Sequence, residues 1–225
     1  MRPKEAIAIG NALAGIPRQE LDPCINLGAS TDHFRRVMQP HIHHYVIGPL
    51  EERGVRVVHS DIKEDEAVDI VGDIFDAATL DRLAAVGAHA LLCCNILEHV
   101  TDRAELVRRL DAVLAPGGHV VISVPYSYPL HFDPIDTYFR PTPDEIAALL
   151  PDYTVVESGF VSDSTFLHDL VARHGRLGAL RHIAISLLKT VMIWRGRTWW
   201  MGHFHRYLWL LRPYKVSWIV ARKPV

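Results

Sequence analysis

The chain has no aspartate or glutamate after Asp169. Residues 170–225 hold eleven of the 24 lysines and arginines, so that segment carries +11. The first 169 residues hold the other 13 basic side chains and all 26 acidic ones, a net of −13, which leaves the overall charge at −2. The basic residues are interleaved with bulky aliphatics and tryptophans, not set on a polar face, and this argues against nucleic acid as a partner. Cysteine is scarce. Cys24, Cys93 and Cys94 lie in apolar runs, and an odd number of thiols in such places excludes a disulfide scaffold and points to a reducing, cytoplasmic compartment. No apolar run approaches the length of a membrane-spanning helix. The opening segment is interrupted by Glu5 and Asn11 and reads as a helix over 3–14, not as a signal peptide. The HIHH run at 41–44 has no nearby acid or cysteine to complete a ligand set, so no metal is expected. There are no repeats. A chain of 225 residues with ordinary composition suggests one domain spanning 1–225, with a core over 20–160.

What is present is concentrated between Leu91 and Pro125. LLCCNILEHV is an apolar run ending in a polar turn, TDRAELVRRLDAVL is amphipathic, and APGGHVVISVP is a Pro-Gly-Gly turn followed by a second apolar run. This reads as strand, loop, helix, turn, strand, long enough for a right-handed parallel crossover. Thr101 or Asp102 is placed to cap the helix. Further strands are expected at Cys24–Leu27, Val55–Ser60, Tyr153–Gly159 and Val216–Ala221, with a short one within Ala67–Ile74. Helices are expected at Ala77–Val86 and after Thr142, where Pro143 and Glu145 complete a start signature. Residues 31–54 read as mixed. Alternating strands and helices predict an α/β, Rossmann-like, mostly parallel sheet flanked by helices. A helical insertion over 164–213 precedes a last strand at 214–221. Ligands on such sheets gather beyond the carboxyl ends of the strands. Here that rim carries Asn95, Glu98 and His99.

NILEHV followed by LAPGGHVVISVP resembles the fourth and fifth strand motifs of class I S-adenosylmethionine-dependent methyltransferases of the LEHV type. The resemblance implies S-adenosylmethionine as cofactor and methyl transfer as activity. INLGAS resembles the family's first motif, with Gly28 at the strand end admitting a ligand where a Cβ would stand. Ala29 and Ser30 occupy positions where further glycines are usual, and Asn26 stands where an acid is usual. Asp61 resembles the family's ribose-binding acid, and Ile62 is then placed to cover the adenine. Asp73, between Gly72 and Ile74, resembles the acid that accepts from the adenine amino group. Only five residues separate Ile62 from Val68, too few for the usual helical crossover. The crossover helix is therefore missing, or 67–74 runs as an edge loop. Asn95 and Ile96 match the loop that contacts the methionine moiety.

The sulfonium is already activated, so positioning supplies most of the catalysis, and a hydroxyl acceptor gains further from a histidine base. The expectation is His131 as base with Asp133 or Asp136 orienting it, and His99 as the second histidine at the rim. Tyr126, Tyr128, Tyr138 and Arg140 either line the acceptor site or pin the loop that carries His131. The acceptor expected is an oxygen of a small molecule, a glycan or a lipid-linked intermediate. The alternative is a non-catalytic scaffold that kept the fold. All five tryptophans fall between Trp194 and Trp218. Residues 180–213 are expected either to pack on the sheet or a second subunit, or to lie on an anionic membrane surface.

Overall fold

The computed structural model describes residues 1–130, 135–189, 192–196, 199–200 and 204–225. Seven strands form one sheet in the order β3-β2-β1-β4-β5-β7-β6: β1 (Cys24–Leu27), β2 (Val57–Asp61), β3 (Ile70–Val71), β4 (Ala88–Cys94), β5 (Leu114–Ser127), β6 (Thr154–Ser162) and β7 (Lys215–Arg222). The first five are parallel, and β7 runs antiparallel between β5 and β6. The Rossmann-like, mostly parallel architecture expected from the sequence is therefore the one observed. The helices are α1 (Pro3–Ala14), α2 (Pro40–Ile42), α3 (Gly48–Glu52), α4 (Ala77–Ala84), α5 (Arg103–Val113), α6 (Pro143–Ala147) and α7 (Phe166–Lys189).

Apolar side chains alternate through the central strands to feed both faces of the sheet. On one face, Ile25, Leu91, Cys93 and Ile122 pack with Leu106 and Leu110 of α5 and Ile146 of α6. On the other, Cys24, Ala90, Leu92 and Val121 pack with Ala6, Ile9 and Leu13 of α1 and with Val46, Ile47 and Leu50. Each fully buried leucine or isoleucine here contributes about 1.5–3 kcal/mol. The helix starts follow their signals. Asp102 accepts from the Glu105 backbone N–H at 2.9 Å, and Thr142 and Glu145 cap each other's backbone N–H reciprocally.

Two segments differ from the sequence reading. The stretch read as mixed is helical: π-turns at Phe34–Met38 and His43–Ile47 alternate with α2 and α3, and Ile42, Val46, Ile47 and Leu50 are buried along it. The histidines at 41–44 interrupt an apolar face that still recurs at helical spacing. The Pro-Gly-Gly turn lies within the bounds of β5, whose register against β4 shifts between Ala88 and Ala90. Between β2 and β3 there is no helix, one of the two arrangements that the short spacing allowed, and β3 still pairs parallel to β2. This is possible because β3 meets only Ser60 and Asp61, the last two residues of β2. The chain returns a short way along the strand and never has to span the sheet.

Candidate functional site

The tips of β1, β2 and β3 are tied together at the carboxyl edge of the sheet. Gly28 has φ +66°, and a Cβ built there would stand 3.0 Å from Ile96 Cδ1. The β1 tip and the loop after β4 thus touch where only a glycine leaves room. The Ala29 N–H donates to the Ser60 carbonyl at 3.0 Å. The Ser30 N–H donates to Asp61 Oδ2 at 2.6 Å and the Lys63 N–H to Asp61 Oδ1 at 2.9 Å, while Gly72 N–H donates to the Asp61 carbonyl at 2.9 Å. Arg35 is 3 % exposed. Its guanidinium donates to the carbonyls of Ala29, Ser30 and Ala67, so one cation clamps the β1 tip to the short crossover.

The residues named from sequence part company around this edge. Gly28, Ala29, Ser30, Asp61 and Gly72 are brought together. Ile62 stands 66 % exposed beside them. Asp73 is exposed and its carboxylate accepts from the Phe75 N–H at 3.0 Å, a local turn. Ile74 is not at the rim: it is buried in the core with Leu83 and Leu97. Asn26 turns to its partner across the ladder, His59, with Nδ2 at 3.2 Å from Nδ1. Burial, and then the nearby Arg35 guanidinium, lower the His59 pKa to about 4. Asn95, at φ +56°, donates its side-chain amide to Glu5 Oε1 at 2.8 Å. His131 and Asp133 lie outside the described residues.

A cleft of about 920 Å³ opens at the ends of β4 and β5; Asn95 lines it, next to the Ile96 that touches Gly28, while Gly28, Asp61 and Gly72 do not line it. Its floor includes Asn95, Glu98, His99 and Pro125 at the ends of β4 and β5, and its walls come from Arg2 and Glu5, Phe34 and Met38, and Asp169 and Arg173. The volume suits a small organic ligand. Glu5 is buried and unites three distant segments: its carboxylate accepts from Asn95, from Ser123 Oγ at 2.7 Å and from the Arg2 N–H at 2.8 Å. Arg2 reaches on to Asp169, 3.0 Å away. Neither oxygen of Glu98 has a hydrogen-bond partner among the described residues. Burial pushes its pKa up to about 8. His99 Nε2 lies 3.8 Å from Glu98 Oε1, and its Nδ1 faces the Ile135 carbonyl. Of the aromatic and basic residues at and beyond the end of β5, Tyr128 lines the cleft, Tyr126 packs on Phe160, and Arg140 is paired with buried Asp136 while stacking on Tyr138. Glu5, Arg35 and His59 were not singled out from sequence. Only Glu5 carried a signal, as the one acid in the apolar helix pattern over 3–14.

No family model and no curated protein matches the chain. Solved structures do. The chain is similar to coclaurine N-methyltransferase bound to N-methylheliamine and SAH, at 15% identity over 98% of this chain and 71% of that one, with a TM-score of 0.55. It is similar to a SAM-dependent methyltransferase from Archaeoglobus fulgidus, at 12% identity over 98% and 94% of the two chains, with a TM-score of 0.50. The fold is that of the class I S-adenosylmethionine-dependent methyltransferases. The [4+2]-cyclase SpnF is also similar, at 13% identity over 97% of this chain and 81% of that one, with a TM-score of 0.54. The methyltransferase fold thus hosts more than one chemistry, and the reaction must be argued from the site.

Proposed function

We propose that the protein binds S-adenosylmethionine at the tips of β1, β2 and β4 and transfers its methyl group to an oxygen of a small acceptor held in the adjoining cleft. The observation that carries this reading is the junction of a Cβ-free strand tip at Gly28 with an acid at the end of the next strand, Asp61, joined through Ile96 and Asn95 to a ligand-sized cleft at the ends of β4 and β5. The donor set suits the cofactor. A carboxylate offers about four acceptor directions, and the two backbone N–H groups on Asp61 leave about two for ribose hydroxyls. Ile62 presents an exposed apolar side chain for the adenine, and Asp73 an acceptor for its amino group. Gly28, Ala29, Ser30, Asn95 and Ile96 supply backbone next to the methionine moiety. When bound, the cofactor supplies an activated methyl carbon.

The chain's own residues then position the acceptor and take its proton. Glu98 and His99 sit in the cleft floor, and the Glu98 proton affinity lies close to neutrality, the range a general base needs. A hydroxyl depends on such a base more than a neutral amine does, which supports oxygen as the acceptor atom. His131 and Asp133 remain assigned as base and orienting acid on their position after β5. The scaffold reading draws on Asp61 being engaged already and on the departures from the glycine motif.

Calorimetric titration decides between the two. Binding of S-adenosylhomocysteine by the intact chain, weakened at least about tenfold in Asp61→Ala with the fold retained, is the expected result. No binding of either cofactor form at millimolar concentration would leave the scaffold. His131→Ala should lower activity without changing cofactor affinity, and unchanged activity would remove it as base.

A further inference from the structure

Beyond the Gly175 kink (φ +68°), α7 packs the wrong way round for a helix covered only by water. The residues it buries are small: Ala179 and Ser186, seven apart. The opposite stripe holds Leu177, Leu180, Ala184 and Leu188, spaced as successive positions on one helical face. Leu177 is 83 % exposed, Leu180 64 % and Leu188 74 %. Trp194, Leu208 and Leu211, farther along the chain, are exposed as well, at 75 %, 66 % and 76 %. A globular helix normally hides its leucines and shows its small and polar residues, and a stripe of exposed leucines marks an interaction site.

The charge around it identifies the partner. Arg173, Arg176, Arg181, Lys189, Arg195, Arg206 and Arg212 flank the leucines, and no acid follows Asp169. No carboxylate pairs with Arg176, Arg181 or Arg212 among the described residues, where Arg212 instead lies over the Trp209 ring. Exposed leucine and tryptophan bordered by uncompensated arginine suits the boundary between acyl chains and anionic headgroups. No described helix is long and apolar enough to cross a membrane, so the contact is lateral. The tryptophans divide accordingly: Trp209 and Trp218 are core residues, 4 % and 6 % exposed, while Trp194 faces out. The same helix, before its kink, supplies Asp169, Ala172 and Arg173 to the cleft wall.

We propose that the outer face of α7, with Trp194, Leu208 and Leu211, seats in the plane of an anionic lipid bilayer and holds the mouth of the cleft against it. The surface stands on its own observations; that the cleft is an acceptor site rests on the methyltransferase reading above.

The test is co-sedimentation of the intact chain with vesicles of phosphatidylcholine alone and of equal parts phosphatidylcholine and phosphatidylglycerol. Binding at least about tenfold stronger to the anionic vesicles, falling as salt rises, is expected. The triple variant Leu177→Glu, Leu180→Glu, Leu188→Glu should lose that binding while keeping its affinity for S-adenosylhomocysteine, which shows that it folds. A bimane on Ala172→Cys should shift to the blue on vesicle binding, and one on Ala78→Cys, on α4 across the sheet, should not. No anionic preference, or retained binding in a folded triple variant, overturns the proposal. So does a dimer in lipid-free solution that the triple variant makes monomeric, because a second copy would then cover the leucines. Equal shifts at both labels overturn the orientation of the cleft. Failure of wild type to bind S-adenosylhomocysteine strikes the enzyme reading and leaves the vesicle result intact.

Discussion

Replacing Glu98 by glutamine should make the protein more stable at alkaline pH and change little in acid. Glu98 is 1 % exposed, and its two oxygens lack hydrogen-bond partners among the described residues. Burial is the main cause of its raised pKa, with its own backbone N–H and then Arg140 opposing and Glu5 and Asp136 adding to it. The folded chain therefore holds this proton more tightly than the unfolded chain does. Relative to glutamine, the contribution to stability is complete below about pH 4.5, declines as pH rises, and is lost above about pH 8. That interval, at about 1.4 kcal/mol per pH unit, amounts to roughly 5 kcal/mol. Water entering around the ionised carboxylate makes this an upper bound. For a chain of this size, each kcal/mol moves the melting temperature by about 2–4 °C. Thermal melts of wild type and Glu98→Gln followed by circular dichroism at pH 5 and pH 9 should thus diverge by several degrees or more at pH 9. The difference between the two proteins is the quantity to read, because every other titrating group cancels in it. Parallel melting curves across this range would show that Glu98 is not held in a dry, unpaired environment, and the argument from its burial would fall.

Three further outcomes follow from packing and burial. A Cβ on Gly10 would overlap the Tyr45 carbonyl oxygen, since α1 meets the second π-turn backbone to backbone; Gly10→Ala should cost about 1–3 kcal/mol, read as a lowered urea midpoint. Burial pushes the Cys24 thiol up to about 12 and Cys93 well above its usual value, so neither of these two buried thiols should react with an aromatic disulfide reagent at pH 8 until the chain unfolds, whereas Cys94 is only partly buried. Rapid labelling of either in the native protein would contradict that burial. Arg35→Met leaves three carbonyls at the β1 tip and crossover without their donor; a loss of about 3 kcal/mol in stability is expected, together with weaker S-adenosylhomocysteine binding. Unchanged affinity would separate the clamp from the cofactor site.

The sheet was legible because its evidence is local. Apolar runs at Cys24–Leu27 and Leu91–Cys94, a capping aspartate at Asp102 and the Thr142–Glu145 signature each act within a few residues, and each element formed where its signal lay. The misreadings came where tertiary contact overrides local pattern. Histidines masked the helix over 34–52 because its inward face is carried by only a few residues, such as Ile42, Val46 and Leu50. Ile74 looked like a ligand neighbour by position, but the same position supplies the core beneath α5. The +11 segment was plain in the sequence, whereas its orientation was not. Nothing in a run of leucines and alanines says that Ala179 faces in and Leu180 out.

The two halves of the site differ in the same way. The half assigned to the cofactor is built from consecutive turns, Gly28–Ser30, Asp61–Lys63 and Asn95–Ile96, whose backbones do most of the work. Short motifs report such geometry, because each turn is set by residues adjacent in the chain. The other half is assembled by Glu5, which joins α1 to Asn95 and Ser123 across 90 and 118 residues of chain, and by Arg2, which reaches Asp169 across 167. No local pattern encodes contacts of that range, because their partners are chosen by how α1 and α7 pack over the strand ends. Acceptor identity is therefore the property least transferable from any structural neighbour. It is best approached through the residues that line the cleft: Glu5 and Glu98, with Arg2 and Arg173 beside them.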